Sequence, residues 1–312
     1  MPTDRPLNVA VYGAGAVGCY YGALLARAGH QVTVIGRPEH VQAINARGIR
    51  LQSRDFDIKV AVQATTEPVG VLDAELILLA VKSPDTERAG QQMHPHLAPG
   101  TVIICLQNGV DNAERLRAVL PGFKVSSAVV YVASEMAGPG HVRHHGRGEL
   151  VIERAAMPER VGQAFRAAGI AAIMDENVRG ALWAKLILNC AYNALSAAGH
   201  MAYGDLIRQP GVEDVMEAVV AECEAVAAAD GVAIPGDIRL AVRRIAETMP
   251  RQHSSTAQDL MRGRPSEIDY LNGHIARRGK ALGIATPANT ALWVTARLAE
   301  TWQTGQANAA SS

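Results

Sequence analysis

Apolar positions recur along this chain with two different periods, and the change between them divides it. Up to about residue 176, short β-type apolar runs alternate with helical periods. The runs predict strands at Val9–Tyr12, Gln31–Ile35, Ile49–Ser53, Phe56–Ala64, Glu75–Val81, Thr101–Leu106 and Lys124–Ala133. Gly138-Pro139-Gly140 turns a hairpin that ends at Leu150–Glu153, and Ile170–Met174 reads as a last strand. Glu75–Val81 and Thr101–Leu106 are almost continuously apolar, as parallel strands covered on both faces are. Helices are expected over Cys19–Ala28 and Pro38–Arg47, and from Met157-Pro158-Glu159 to Ala168. Beyond Asp175 only helical periods remain: Val178–Ala198, Gly211–Asp230, Gly236–Glu247, Ser266–Leu282 and Pro287–Trp302, with Gly and Pro at their ends. The expectation is an α/β domain with a mostly parallel sheet over residues 1–176 and an all-α domain over 177–304. The small, polar stretch 305–312 is expected to be disordered.

The first strand runs into Gly13-Ala14-Gly15-Ala16-Val17-Gly18, and a helical period follows. A Gly-x-Gly-x-x-Gly turn between strand and helix is the Rossmann-like dinucleotide signature. Gly13 permits the tight turn, Gly15 lets a pyrophosphate approach the backbone, and Gly18 lets the helix pack on the strand. The helix N-terminus offers unpaired N–H groups and a positive dipole end to phosphates. At the tip of the second strand, where an NAD site carries a carboxylate, stands Gly36-Arg37. A guanidinium there suits a 2′-phosphate, so the reading is NADP(H); a solvated loop arginine is the plainer alternative. Lys82 and Asn108 follow two further strands, at the carboxyl rim where ligands of such sheets bind.

The first of the later helices is apolar nearly all round, with Lys185, Asn189 and Asn193 as exceptions at i, i+4 and i+8. They share one face over roughly 12 Å. Buried without partners, each would cost kilocalories, so the stripe must face water, a partner or a ligand. A lysine so placed can protonate the alkoxide formed when hydride reaches a ketone carbon, and its cation polarises the carbonyl beforehand. In the next polar stretch, Ser255 suits a carboxylate, and Glu267 lies near a helix start, where dipole compensation or capping is the plainer reading.

Composition narrows the class. Lys+Arg and Asp+Glu are both 30 in 312 residues, so no net charge attracts nucleic acid or an anionic membrane. Four dispersed cysteines form no zinc knuckle or Cys-x-x-Cys pair and read as buried free thiols. His141, His144 and His145 in the hairpin are read as exposed rather than metal-binding, because alternation puts His144 opposite the other two. The first residues lack an apolar leader, and no apolar run spans a bilayer; a cytoplasmic protein is expected. The apolar helical region fits either a homodimer surface or burial within one chain.

Taken together, Val81-Lys82, Gln107-Asn108-Gly109, Trp183-Ala184-Lys185 with Asn189 and Asn193, and Ser254-Ser255 before Glu267-Ile268-Asp269-Tyr270 resemble the ketopantoate reductase family. The resemblance runs from Leu7 to about Trp302. It implies a Rossmann-like domain followed by a helical one, and NADPH-dependent reduction of 2-dehydropantoate to pantoate. Lys185 is then the general acid, and Glu267 touches the cofactor and helps position the lysine. Asn189 and Asn193 bind the substrate, Ser255 lies near its carboxylate, and Asn108 bridges nicotinamide and substrate. Gly13 to Gly18, Arg37, Lys82 and Ala133 hold the cofactor. Two positions depart from the family's pattern: Tyr203, in Tyr203-Gly204-Asp205-Leu206, and Gln252 stand where asparagines are usual. Both are expected near the substrate. They leave open another branched 2-oxo acid or an opine-type dehydrogenation. A non-catalytic NADP(H)-binding regulator is the reading from a different class.

Overall fold

The computed structural model describes residues 5–154 and 158–310, with side chains described as far as residue 302. The chain folds into two compact units that divide between Val178 and Arg179. The sequence pattern sets this division two residues earlier.

The first unit runs β1 (Asn8–Tyr12), α1 (Ala16–Arg27), β2 (Gln31–Ile35), α2 (Pro38–Arg47), β3 (Ile49–Gln52), β4 (Asp57–Val60), β5 (Gln63–Thr65), β6 (Leu76–Leu79), α3 (Thr86–Met93), β7 (Val102–Cys105), α4 (Asn112–Val119), β8 (Lys124–Gly138), β9 (His141–Glu153), α5 (Glu159–Ala167) and β10 (Ala172–Asp175). The sheet order is β4-β3-β9-β8-β7-β6-β1-β2-β5, with β10 also on β9. Pairings β3/β4 and β8/β9 are antiparallel and the others parallel. This is the Rossmann-like α/β fold, its sheet extended by the long β8–β9 hairpin.

Period-two alternation builds a core on each face. Val9 and Val11 of β1 join a cluster with Leu24, Leu25 and Phe165. Ala10 and Tyr12 point the other way, into a cluster with Met93 and Leu116. Every residue of β6 and β7 is buried, which explains their unbroken apolar runs. Helix α1 lies against β1 at a distance no side chain would allow: a Cβ on Gly18 would stand 2.2 Å from the Gly13 carbonyl oxygen and 2.8 Å from Val11 Cγ1.

The run expected as one strand over Phe56–Ala64 is two, because β4 pairs with β3 and β5 with β2. Helices α3 and α4 went unread in the sequence. Of the hairpin histidines, all expected exposed, only His145 is; His141 and His144 are half-buried, and the partners are Gln52 Oε1 for His141 at 3.0 Å, the Arg147 carbonyl for His144 at 2.6 Å, and Glu135 Oε1 for His145 at 3.3 Å. Met157, expected at a helix start, lies outside the described residues; α5 begins at Glu159.

The second unit comprises α6 (Val178–Gly199), α7 (Tyr203–Leu206), α8 (Val212–Ala229), α9 (Ile238–Thr248), α10 (Ser255–Met261), α11 (Asn272–Leu282) and α12 (Pro287–Ala310). Helices α8, α11 and α12 pack on one another. Buried amides join α11 to α6 and α12: Asn272 Nδ2 donates to the Cys190 carbonyl and to Asn289 Oδ1, both at 3.0 Å. Glu222 of α8 accepts the first N–H groups of α12, from Ala288 at 2.7 Å and Asn289 at 2.9 Å. The helix expected over Ser266–Leu282 is broken: a 3-10 turn covers Ile268–Tyr270 and α11 starts at Asn272. Helix α12 continues through residues 305–310, where a disordered tail was expected. Alanine and glutamine among those residues are good helix formers, and they extend a turn already nucleated.

All four cysteines are free and buried. Burial pushes the Cys19 and Cys105 thiols up to about 12, so they stay protonated at neutral pH. No described helix is long and apolar enough to cross a membrane. Because the Gly18 contact is with backbone, Gly18→Ala is expected to cost about 3 kcal/mol of stability in denaturant unfolding. A loss below about 0.5 kcal/mol, the scale of an ordinary surface change, would contradict this packing.

Candidate active site

In the first unit, β7, β6, β1 and β2 are adjacent and parallel, so their carboxyl ends form one rim. The glycine turn leaves β1 there. Gly13 has φ +122° and its backbone lies against β6's exit, where a Cβ would stand 2.5 Å from the Ala80 carbonyl carbon. Its N–H donates to the Ile35 carbonyl at 2.9 Å, tying the turn to the end of β2. Gly15 is the N-cap of α1, in extended backbone, and a Cβ there would meet nothing within 4 Å. No side chain caps the helix and no acidic residue occupies its first turn. Ala14, Ala16 and Val17 complete the turn and the helix start.

Gly36 has a packing role that its sequence context does not reveal. A Cβ on it would stand 2.4 Å from that of Ala14, so β2 can end beside the turn only with glycine here. The next residue, Arg37, is exposed at the N-cap of α2. Its guanidinium makes no hydrogen bond or ion pair among the described residues. Lys82, half-buried, precedes a 3-10 turn over Ser83–Asp85 beyond β6. Asn108 follows β7; its carbonyl accepts from Ser83 Oγ at 3.0 Å and Asn112 Nδ2 at 2.7 Å. Its side-chain amide makes no hydrogen bond among the described residues. Ala133 lies on β8 opposite Gly146, between two shifts in strand register.

In the second unit, α6 carries Lys185, Asn189 and Asn193 on one face. Lys185 and Asn189 are half-buried, whereas Asn193 is 1% exposed. The stripe therefore descends from an accessible lysine to a buried amide. Asn193 Nδ2 donates to Ser255 Oγ at 3.2 Å and Thr256 Oγ1 at 3.3 Å. Ser254 returns the contact, its hydroxyl donating to the Asn193 carbonyl at 3.2 Å while capping α10 through the Ala257 N–H at 3.0 Å. The fold thus brings Asn193 and Ser255, 62 residues apart, into one cluster. The Asn189 amide makes no hydrogen bond among the described residues. Glu267 is half-buried at the N-cap of the 3-10 turn, and its side chain makes no capping hydrogen bond to that turn.

The two departing positions are neighbours. The Tyr203 N–H donates to the Gln252 carbonyl at 2.9 Å, and the Gly204 N–H to the Pro250 carbonyl at 2.9 Å. The Tyr203 ring packs on that of Tyr192, with centroids 4.6 Å apart. Burial raises the Tyr203 phenol well above its ordinary value, so it stays neutral. A cavity of about 230 Å³ in this unit, lined by Tyr192, Met216, Val220, Arg239 and Val242 among others, contains none of the candidate residues. Among the described residues, no group of three or more His, Cys, Asp or Glu side chains is arranged to hold a metal.

Two family models match the chain. One described as ketopantoate reductase PanE/ApbA covers residues 9–156, and its C-terminal counterpart covers 177–300. The 2-dehydropantoate 2-reductase of Pyrococcus horikoshii is 30% identical over 300 residues, covering 94% of this chain and 98% of that protein. The enzyme of the same name from Halobacterium salinarum is 31% identical over 301 residues, covering 94% and 99%. The crystal structure of a PanE/ApbA family ketopantoate reductase from Ralstonia eutropha JMP134 is 59% identical, with a TM-score of 0.93 over 95% of this chain and 99% of that one.

Proposed function

This chain belongs to the ketopantoate reductase family, and on that premise we propose that it reduces a 2-oxo acid with NADPH, converting 2-dehydropantoate to pantoate. The observation that carries the chemistry is the stripe on α6: a lysine leading an otherwise apolar helix, followed by an unbonded amide and an amide joined to Ser255.

The first unit fits a dinucleotide. The open flank of Gly15 and the uncapped start of α1 leave room and N–H donors for a pyrophosphate. Residues Gly13 to Gly18, Lys82 and Ala133 hold the cofactor in this reading. Arg37, unpaired among the described residues beside the turn, supplies the cation for a 2′-phosphate and so the preference for NADPH. When bound, the nicotinamide supplies a hydride to the substrate's carbonyl carbon. Lys185 does the rest of the bond-making. As an ammonium it polarises the carbonyl, and as the C=O π bond breaks it transfers a proton to that oxygen, leaving a hydroxyl and a neutral amine. Asn189 and Asn193 hold substrate oxygens without adding charge, and Ser255 donates to the carboxylate. Asn108 bonds nicotinamide and substrate together, and Glu267 touches the cofactor and helps position Lys185.

Tyr203 and Gln252 favour a second reading within the same chemistry. Their backbone bond ties Tyr203 to the chain three residues before Ser255, which supports a 2-oxo acid with a different branched side chain as the alternative substrate. Following NADPH oxidation with a panel of branched 2-oxo acids decides between them, and turnover of none would overturn the proposal. Lys185→Ala is expected to lower kcat by about 100-fold or more while NADPH binding survives. Retained turnover would remove Lys185 from its role. Arg37→Ala is expected to raise the KM for NADPH about tenfold and leave that for NADH unchanged. Equal effects on both cofactors would contradict the 2′-phosphate assignment.

A further inference from the structure

Behind the tips of β6 and β7 lies a chain of side chains, Ser83, Thr86, Gln107 and Asn112, none more than 7% exposed. Its polarity follows from one fact: the Asn108 carbonyl can only accept. It takes Asn112 Nδ2 at 2.7 Å and Ser83 Oγ at 3.0 Å. With Nδ2 so committed, Asn112 turns its Oδ1 to Thr86 Oγ1 at 3.0 Å and Arg115 Nη1 at 3.3 Å. Thr86 has one proton, given to Asn112 Oδ1 or to the Ser83 carbonyl, each at 3.0 Å. Its oxygen therefore accepts from Gln107 Nε2, at 2.7 Å. Arg115 closes the chain by donating to the Ser83 carbonyl at 3.0 Å. Glu87 anchors that guanidinium at 2.7 Å, and the pair holds the Glu87 carboxyl below its ordinary value. Asn112 cannot be turned over without setting its Oδ1 against the Asn108 carbonyl oxygen.

We propose that Asn112 is a positioning residue for the reaction. Through the Asn108 carbonyl it sets the backbone from which the Asn108 amide projects. Through Ser83 Oγ, which accepts from Asn112 Nδ2 at 3.3 Å, it registers that amide against Lys82, the residue before Ser83. The inference rests on the reading of Asn108 as the group that bonds nicotinamide and substrate together. The Asn108 side chain has no bond of its own among the described residues, so its direction depends on how its backbone is held. Misplacing a contact of this kind by about 1 Å is enough to cost orders of magnitude in rate. The buried relay holds both strand tips from behind, leaving the reactive face clear.

Asn112→Asp tests this, because it keeps the shape and removes the donor to the Asn108 carbonyl. It is expected to lower kcat for the 2-oxo acid about tenfold, while the NADPH dissociation constant, read by nucleotide fluorescence, stays within about threefold. In an Asn108→Ala background the same substitution should change kcat no further, because nothing is left to position. Ser83→Ala removes the second donor and is expected to show the same pattern more weakly; it carries the test if Asn112→Asp does not fold. An equal loss of kcat with and without the Asn108 side chain would assign Asn112 a purely structural role and overturn the inference alone. Full kcat in Asn108→Ala itself would instead overturn the reading of Asn108, and this inference with it.

Discussion

The rim of the first unit depends on backbone meeting backbone where no side chain fits. A Cβ at residue 13 would overlap the exit of β6, one at 18 the turn itself, and one at 36 the Cβ of Ala14. These contacts draw the ends of β1, β2 and β6 together at the start of α1. Gly15 lies among them with open space on its flank. The glycines of one short motif therefore have opposite duties. Gly13 and Gly18 let the protein close on itself, and Gly15 keeps one side clear. Arg37 owes its place to the same constraint, because β2 can end beside the turn only through Gly36.

Polar groups in both units obey a second constraint: a buried amide needs its partners fixed, and a main-chain carbonyl is the surest anchor. Asn112 is anchored on the Asn108 carbonyl in the first unit, and Asn272 on the Cys190 carbonyl in the second. Asn193 is committed too, but to the side-chain hydroxyls of Ser255 and Thr256. Asn108 and Asn189 have side-chain amides with no hydrogen bond among the described residues. Amides that hold the framework are thus separable from amides with no partner among the described residues, the two that the proposed function assigns to ligands. Asn193 lies between the classes, since a group bound at Ser255 would share that hydroxyl with it.

The elements legible in the sequence are those whose packing is apolar. β1, β6 and β7 are buried apolar runs, and α6 and α8 carry continuous helical periods. Helices α3 and α4 escaped notice for the reason they matter. Their buried positions include Thr86, Gly90 and Asn112 rather than a row of leucines. The relay that holds Asn108 is written in residues that read as surface. The break before α11 was likewise hidden, because Ser266–Leu282 keeps a helical period across a 3-10 turn. The stripe on α6 was readable because it interrupts an apolar helix, but its joining to Ser255 was not. That contact needs two backbones brought together, and no local period records it.

In the proposed reading, the departing residues would bear on substrate choice through size. Tyr203 is buried on Tyr192, and burial keeps its phenol neutral, so it brings bulk and shape with no change of charge. Its backbone is bonded to that of Gln252, three residues before Ser255. A substitution at either position therefore acts on the segment that carries the proposed carboxylate contact without replacing it. In the proposed reading, what all 2-oxo acids share, the carboxylate and the carbonyl, is met by Ser255, Asn189, Asn193 and Lys185. What distinguishes one from another is the side chain, and there Tyr203 offers a larger surface than the asparagine it stands in for. Discrimination by apolar size alone is worth about 1–3 kcal/mol per methylene. In that reading a change of preferred acid is within reach of this one position, while the proton transfer proposed for α6 stays the same.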